Sequence, residues 1–175
     1  MNEYSIEVND LKFLCHSLKA GDRVLLSGTV YTARDAAHKR IFEMIDNNQK
    51  LPFDICGSVV YYAGPTPTPP NLAIGSCGPT TSSRMDRFAP KLYDMGMIAS
   101  VGKGDRSQDV YDSIVRNGAV YLCAIGGAGA LASECITECE VVAFDDLGCE
   151  SVKRLIINNF PLTVAIDSCG NSLFR

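Results

Sequence analysis

Apolar positions in this chain recur at two spacings, one suited to strands and one to helices, and the two kinds of segment take turns. Ile6 and Val8 alternate with polar neighbours, which predicts a short strand. Asn9-Asp10 then caps a helix whose inner positions, Leu11, Leu14, Cys15 and Leu18, fall at helical spacing. Gly21-Asp22 turns the chain into a buried strand at 24–27, and a second helix is expected from about residue 33, with Ala37, Ile41, Phe42 and Ile45 inward. Residues 59–63 read as another buried strand. The proline-rich run 64–70 is an extended loop, because proline can neither donate to a helix nor fit its interior. Met85, Phe88, Leu92 and Met95 form a helical face that Pro90 splits into two short helices. A strand at 97–101 precedes a helix at 107–117, which turns Val110, Tyr111, Ile114 and Val115 inward and stops at Gly118. Further strands are expected at 120–125, 141–144, 152–157 and 162–166, and no internal repeat is visible. The class is α/β with an at least partly parallel sheet, in one domain over 1–175.

Composition narrows the function. Hydrophobic residues make up 46% of the 175, enough for a proper core, and a net charge of −4 argues against nucleic acid or an acidic membrane surface as the main partner. The start, Met1-Asn2-Glu3-Tyr4, does not resemble a secretory leader. The longest apolar stretch, 119–132, is broken by Gly126, Gly127 and Gly129 and is too short to span a membrane, so a cytoplasmic protein is expected. The eight cysteines include no CxxC pair and sit among apolar or small residues. They read as small buried hydrophobes, so any metal this protein works with is expected to be held elsewhere.

Three segments carry candidate chemistry. In Ser27-Gly28-Thr29-Val30-Tyr31-Thr32-Ala33-Arg34-Asp35 a strand turns into a helix, and Thr32 and Asp35 stand at capping-box spacing, which puts Arg34 in the first turn. A cation there opposes the helix dipole, so it points to an anion site where free N–H groups and a guanidinium converge, unless it serves surface solubility. In residues 75–86, Gly78-Pro79-Thr80-Thr81-Ser82-Ser83-Arg84 runs hydroxyls and an arginine into a helix start, although a plain Ser/Thr cap needs only one of them. In Gly102-Lys103-Gly104 a lysine follows a strand end between glycines that permit close backbone approach, a pattern also common in ordinary turns. A fourth segment, Gly127-Ala128-Gly129-Ala130-Leu131-Ala132, matches a dinucleotide fingerprint but lies late in the chain; the competing reading is a tight loop that packs helix on strand. His16 and His38 fall within expected helices and pair with no recognisable nucleophile.

Taken in order, these segments, with Val60-Tyr61-Tyr62-Ala63-Gly64-Pro65, Ala124-Ile125-Gly126-Gly127-Ala128, Leu147-Gly148 and residues 160–167, resemble the C-terminal domain of class I, iron–sulfur fumarases and the matching β subunit of L(+)-tartrate dehydratase. The resemblance covers nearly the whole chain. It implies a three-layer, swivelling β/β/α fold and a hydro-lyase site shared with a partner α subunit, in an αβ or α2β2 assembly. That partner would carry the [4Fe–4S] cluster, with no cluster on this chain. It implies that Arg34, Arg84 and Lys103 hold the carboxylates of a short dicarboxylate substrate. The resemblance also implies that Thr80 binds there and takes part in proton transfer beside an acid from the partner, for which a threonine hydroxyl needs an activating neighbour. Fumarate hydration to L-malate and dehydration of tartrate both remain open, as does a dinucleotide- or phosphate-binding module built on the Gly127 loop.

Overall fold

The computed structural model describes residues 1–125 and 127–175, so the parts of the readings above that fall on Gly126 lie outside it. Five strands, β1 (Glu3–Glu7), β2 (Arg23–Thr32), β3 (Val59–Tyr61), β4 (Ala99–Gly102) and β5 (Val120–Cys123), run parallel in that spatial order. Helices α1 (Val8–Leu14), α2 (Asp35–Asp46), α3 (Ala89–Asp94) and α4 (Gln108–Asn117) lie between them in sequence. Then come α5 (Gly129–Glu134), β6 (Ile136–Ala143) and β7 (Val152–Ile166). β7 runs antiparallel to β6, to β5 and to β2. Its pairing with both β5 and β2 closes the sheet on itself.

The closure depends on a bend. Leu26 pairs with Phe160 and Gly28 with Ile157, so Asn158 and Asn159 together oppose Ser27, as in a β-bulge. Asn159 takes a left-handed φ of 49°, and its N–H donates to Ser27 Oγ at 2.9 Å. The two strands expected at 152–157 and 162–166 are therefore one strand bent in the middle.

Strand alternation then fills two cores. Val24, Leu26, Val59, Tyr61, Val101, Leu122, Leu155 and Val164 point into the closed sheet, where α1 contributes Leu11. Val60, Tyr62 and Tyr121 point outward and are covered by Ala37, Ile41, Leu92, Tyr93, Val110 and Ile114 from α2, α3 and α4. Two walls of sheet and one layer of helices thus form the α/β architecture.

Several local expectations are corrected. Val8 opens α1 instead of ending a strand, and α1 stops at Leu14, which is half-exposed. Cys15 and Leu18 are buried beyond the helix, and His16 follows it. Val115 is exposed, because it lies on the far side of α4 from Val110 and Ile114. Pro90 does separate two helical pieces, the 3₁₀ turn Ser82–Met85 and α3, where it occupies the first turn. Gly118 stops α4 in a left-handed conformation. β6 starts five residues earlier than expected, because its outward glutamates dilute the apolar signal at this sheet margin.

His38 sits fully buried on α2 between Tyr62 and Phe88, its Nδ1 2.8 Å from the carbonyl of Arg34. That acceptor requires the proton on Nδ1 and leaves Nε2 bare and without a partner. Burial lowers the imidazole pKa from 6.5 to about 4. The unfolded chain thus takes up a proton that the folded chain refuses, so stability falls as pH drops from about 6.5 toward 4. The loss from this group is up to about 3 kcal/mol. Chemical denaturation across that range is expected to show this slope, and His38→Phe to flatten it; an unchanged slope in the variant would assign it to other groups.

Candidate functional site

Because β2 to β5 are parallel, their carboxyl ends lie along one edge, the end where parallel α/β sheets, open or closed, usually take ligands. Arg34 follows β2, Gly64 follows β3 and Lys103 follows β4. The loop after the proline run crosses the same edge. Ala63 bridges to Pro79, the Thr80 N–H donates to the Tyr62 carbonyl at 2.7 Å, and Thr81 bridges to Lys103. The structure thereby brings the loops of Arg34, Thr80, Arg84 and Lys103 to one rim.

Arg34 is the N-cap of α2, not a first-turn residue. Thr32 does not cap the helix; it is the buried last residue of β2, and its hydroxyl donates to the Ser151 carbonyl and accepts the Lys153 N–H. The capping-box pattern is thus coincidental, because strand pairing claims Thr32 before the helix begins. Asp35, the first residue of α2, instead holds Arg84, accepting from Nε at 3.1 Å and lying 2.8 Å from Nη2. Arg34 Nε lies 3.5 Å from Glu150 Oε1. Both guanidiniums therefore have a carboxylate from this chain beside them, whereas Lys103 has no ion-pair partner among the described residues. None of the described residues hydrogen-bonds the Thr80 hydroxyl, so no base in the described part of this chain activates it.

Ser82 locks the Thr80 and Lys103 loops together. Its N–H donates to the Lys103 carbonyl at 2.9 Å, and its hydroxyl accepts the Lys103 N–H at 3.0 Å and faces Tyr121 Oη at 2.8 Å. This hydroxyl of the 80–83 run is buried in the floor and does not face the rim. Gly102 passes so close that a Cβ there would overlap Ser82 Oγ, which explains the glycine before Lys103.

Three charged residues stand at or beneath the rim in places that the sequence reading did not give them. Arg106 is buried beneath the rim, donating from Nε to Asp86 at 2.6 Å and from Nη1 to Ser100 at 3.0 Å, with the Tyr121 ring 4.8 Å away. Asp86 also accepts the Ser107 N–H at the start of α4. Lys153 and Glu150 are the other two. No local pattern marks any of them, since each acts through partners distant in sequence or through burial.

The Gly127 loop has a packing explanation. A Cβ on Gly129 would overlap Ser76 Oγ, and the Cys77 N–H donates to the Gly129 carbonyl at 3.0 Å. α5 has six residues, so the tight-loop reading holds, although the loop packs on residues 76–78 instead of setting helix on strand. Cys15 and Cys77 are buried, and burial pushes both thiols up to about 12; Cys56, Cys149 and Cys169 are exposed. Among the described residues no three His, Cys, Asp or Glu side chains gather where they would hold a metal ion. None of the described helices is long and apolar enough to cross a membrane.

Gly102→Ala is expected to destabilise the chain by about 1–3 kcal/mol, as overpacking does. Adding Ser82→Ala is expected to recover part of that loss in a urea titration. A double variant no more stable than Gly102→Ala alone would mean that Ser82 is not what excludes the side chain.

Fold and rim together define an α/β protein with a set of cations at the carboxyl edge of its parallel strands. The chain matches the family described as fumarase C-terminus over residues 2–175, and it belongs to that family. It is 41% identical over 156 residues to fumarate hydratase 2 of Leishmania major, covering 88% of this chain and 28% of that protein. It is 39% identical over 155 residues to the aerobic class I fumarate hydratase of Escherichia coli K12, again 28% of that protein. The chain thus spans a little over a quarter of the fumarate hydratases it matches. A third relative, provisionally named L(+)-tartrate dehydratase subunit beta in Methanocaldococcus jannaschii, is 44% identical over 164 residues, 90% of this chain and 84% of that one.

Proposed function

We propose that this chain is the carboxylate-binding half of a hydro-lyase that adds water to fumarate to give L-malate. The observation that carries the reading is the convergence of Arg34, Arg84 and Lys103 with Thr80 at one strand edge. Arg34 and Arg84 are suited to gripping a carboxylate in two-pronged fashion, and Lys103 adds a point charge. Water addition beside a carboxylate drives negative charge into that carboxylate, and fixed cations strengthen their hold as the charge develops. Two carboxylates on one short molecule account for three cations around it. Thr80, on the same rim, is a binding hydroxyl whose proton-transfer role needs an acid or base from outside the described residues.

The described residues of this chain form no cluster site, so the reading places a [4Fe–4S] cluster on a partner α subunit. An open iron there would supply Lewis-acid activation of water. Support for a separate partner comes from the fumarate hydratases, of which this chain matches 28%, and from the relative named a β subunit, of which it matches 84%. That second relative also favours tartrate dehydration as the alternative reaction of the same site. The six-residue α5 and the packed Gly129 lend no support to a dinucleotide at the Gly127 loop.

The test is anaerobic reconstitution with the cluster-bearing chain, followed by assays of water addition to fumarate and water loss from tartrate. Turnover is expected only when both chains are present. Lys103→Met and Arg84→Ala are each expected to lower kcat/KM by about 100-fold, the scale of losing one charge-stabilising donor. Unaltered turnover in both variants would remove the rim from the reaction.

A further inference from the structure

Between β6 and β7 the chain makes a strap, Asp145–Glu150, entered through left-handed Phe144 and kinked at Gly148. Asp146 is clasped by both terminal nitrogens of Arg40 on α2. At the other end Lys153 is buried, and its ammonium donates to the carbonyls of Gly148, Cys149 and Ser151 and to Ser151 Oγ, at 3.1, 3.3, 3.4 and 2.7 Å. Among the described residues no carboxylate pairs with it, so its bonds go to this strap and its exit. Thr32 joins the same point to the end of β2, two residues before Arg34. Burying an ammonium is costly unless hydrogen bonds offset the lost water, and here the strap and its exit supply them. What this geometry achieves is to hold Glu150 against Arg34.

Arg34 is confined there. A Cβ on Gly64 would fall 2.8 Å from Arg34 Nη1 and 3.2 Å from the Cys149 carbonyl, so the guanidinium lies beside both. Arg34 Nε and Glu150 Oε1 are fully shielded, and neither has a hydrogen-bond partner. They are 3.5 Å apart, and among the described residues this is the ion pair that either of them makes. Arg84 differs: its side chain is 48% exposed, against 22% for Arg34, so water can replace Asp35 there.

We propose that Glu150 is a positioning residue that holds the Nε edge of Arg34 and so aims its terminal nitrogens at a substrate carboxylate. The proposal rests on the functional reading above for what Arg34 receives, but not for the hold itself. Without the carboxylate, Nε has nothing to face in its shielded setting, and the guanidinium turns toward solvent.

Glu150→Ala in the assembled complex is expected to raise KM at least tenfold while kcat stays within threefold. Glu150→Gln keeps an acceptor oxygen in the same place and is expected to stay within threefold of the parent KM. In parallel, the full-length chain is treated with phenylglyoxal, an arginine reagent, and modification is read peptide by peptide. Arg34 is expected to react several-fold faster in Glu150→Ala than in the parent or Glu150→Gln, with Arg84 unchanged. Unchanged KM and unchanged Arg34 reactivity in Glu150→Ala would overturn the proposal. So would loss of kcat and thermal stability together in both variants, which marks a merely structural residue. If the parent complex turns over neither acid, the functional reading fails, and the phenylglyoxal contrast alone decides whether Glu150 holds Arg34.

Discussion

The pairing of β7 with both β5 and β2 is the constraint on which the rest of this molecule depends. Fifteen residues of one strand bond to β5 at one end and to β2 along most of their length. Without the bend at Asn158 and Asn159, that strand could not follow the curvature that closes the sheet. Closure buries Val24, Leu26, Leu122, Leu155 and Val164 inside and leaves the outward side chains of β3 and β5 for the helices to cover. The direct parallel pairing of β2 with β3 and β3 with β4 then sets the carboxyl ends of these strands along one edge. The rim cations owe their proximity to this, since Arg34 and Lys103 are far apart in sequence and share no contact within any one element.

Charge is then managed locally, because cations near a dry core are tolerated only when something faces them. Asp35 faces Arg84, Glu150 faces Arg34, and Asp86 with Ser100 faces the fully buried Arg106. Arg106 lies beneath the rim between Tyr62 and Tyr121, and Tyr121 in turn reaches Ser82. The two loops that carry Thr80 and Lys103 are therefore supported from below by hydrogen bonds, while Gly102 lets them approach. A rim built from loops is in this way held in place by side chains beneath it.

Much of this was legible along the chain. β3 and β5 are short unbroken apolar runs, β4 is a short buried run of small and apolar residues, and α4 shows a helical stripe ending in a left-handed glycine, so period and punctuation identify them. Arg34, Thr80, Arg84 and Lys103 were legible because each sits in a strand-to-loop motif with glycine or hydroxyl neighbours. Their proposed roles came from family resemblance, since spacing alone cannot say what a cation binds. Thr32 misled because its neighbours imitate a capping box while its hydroxyl serves Ser151 and Lys153, more than a hundred residues away. The first five residues of β6 were hidden because only their pairing with β7 makes a strand of so polar a segment.

By itself the sequence determined the alternation of strands and helices, the α/β class and the glycine- and hydroxyl-rich loops that the fold gathers at one rim. Those follow from local periodicity and from the backbone limits of glycine and proline, which act over a few residues. Tertiary structure alone decided that two apparent strands are one, that Arg106 turns inward, and that Glu150 on its strap meets Arg34. These outcomes depend on burial and on partners distant in sequence, and a charged side chain looks the same along the chain whether it ends in water or against an arginine.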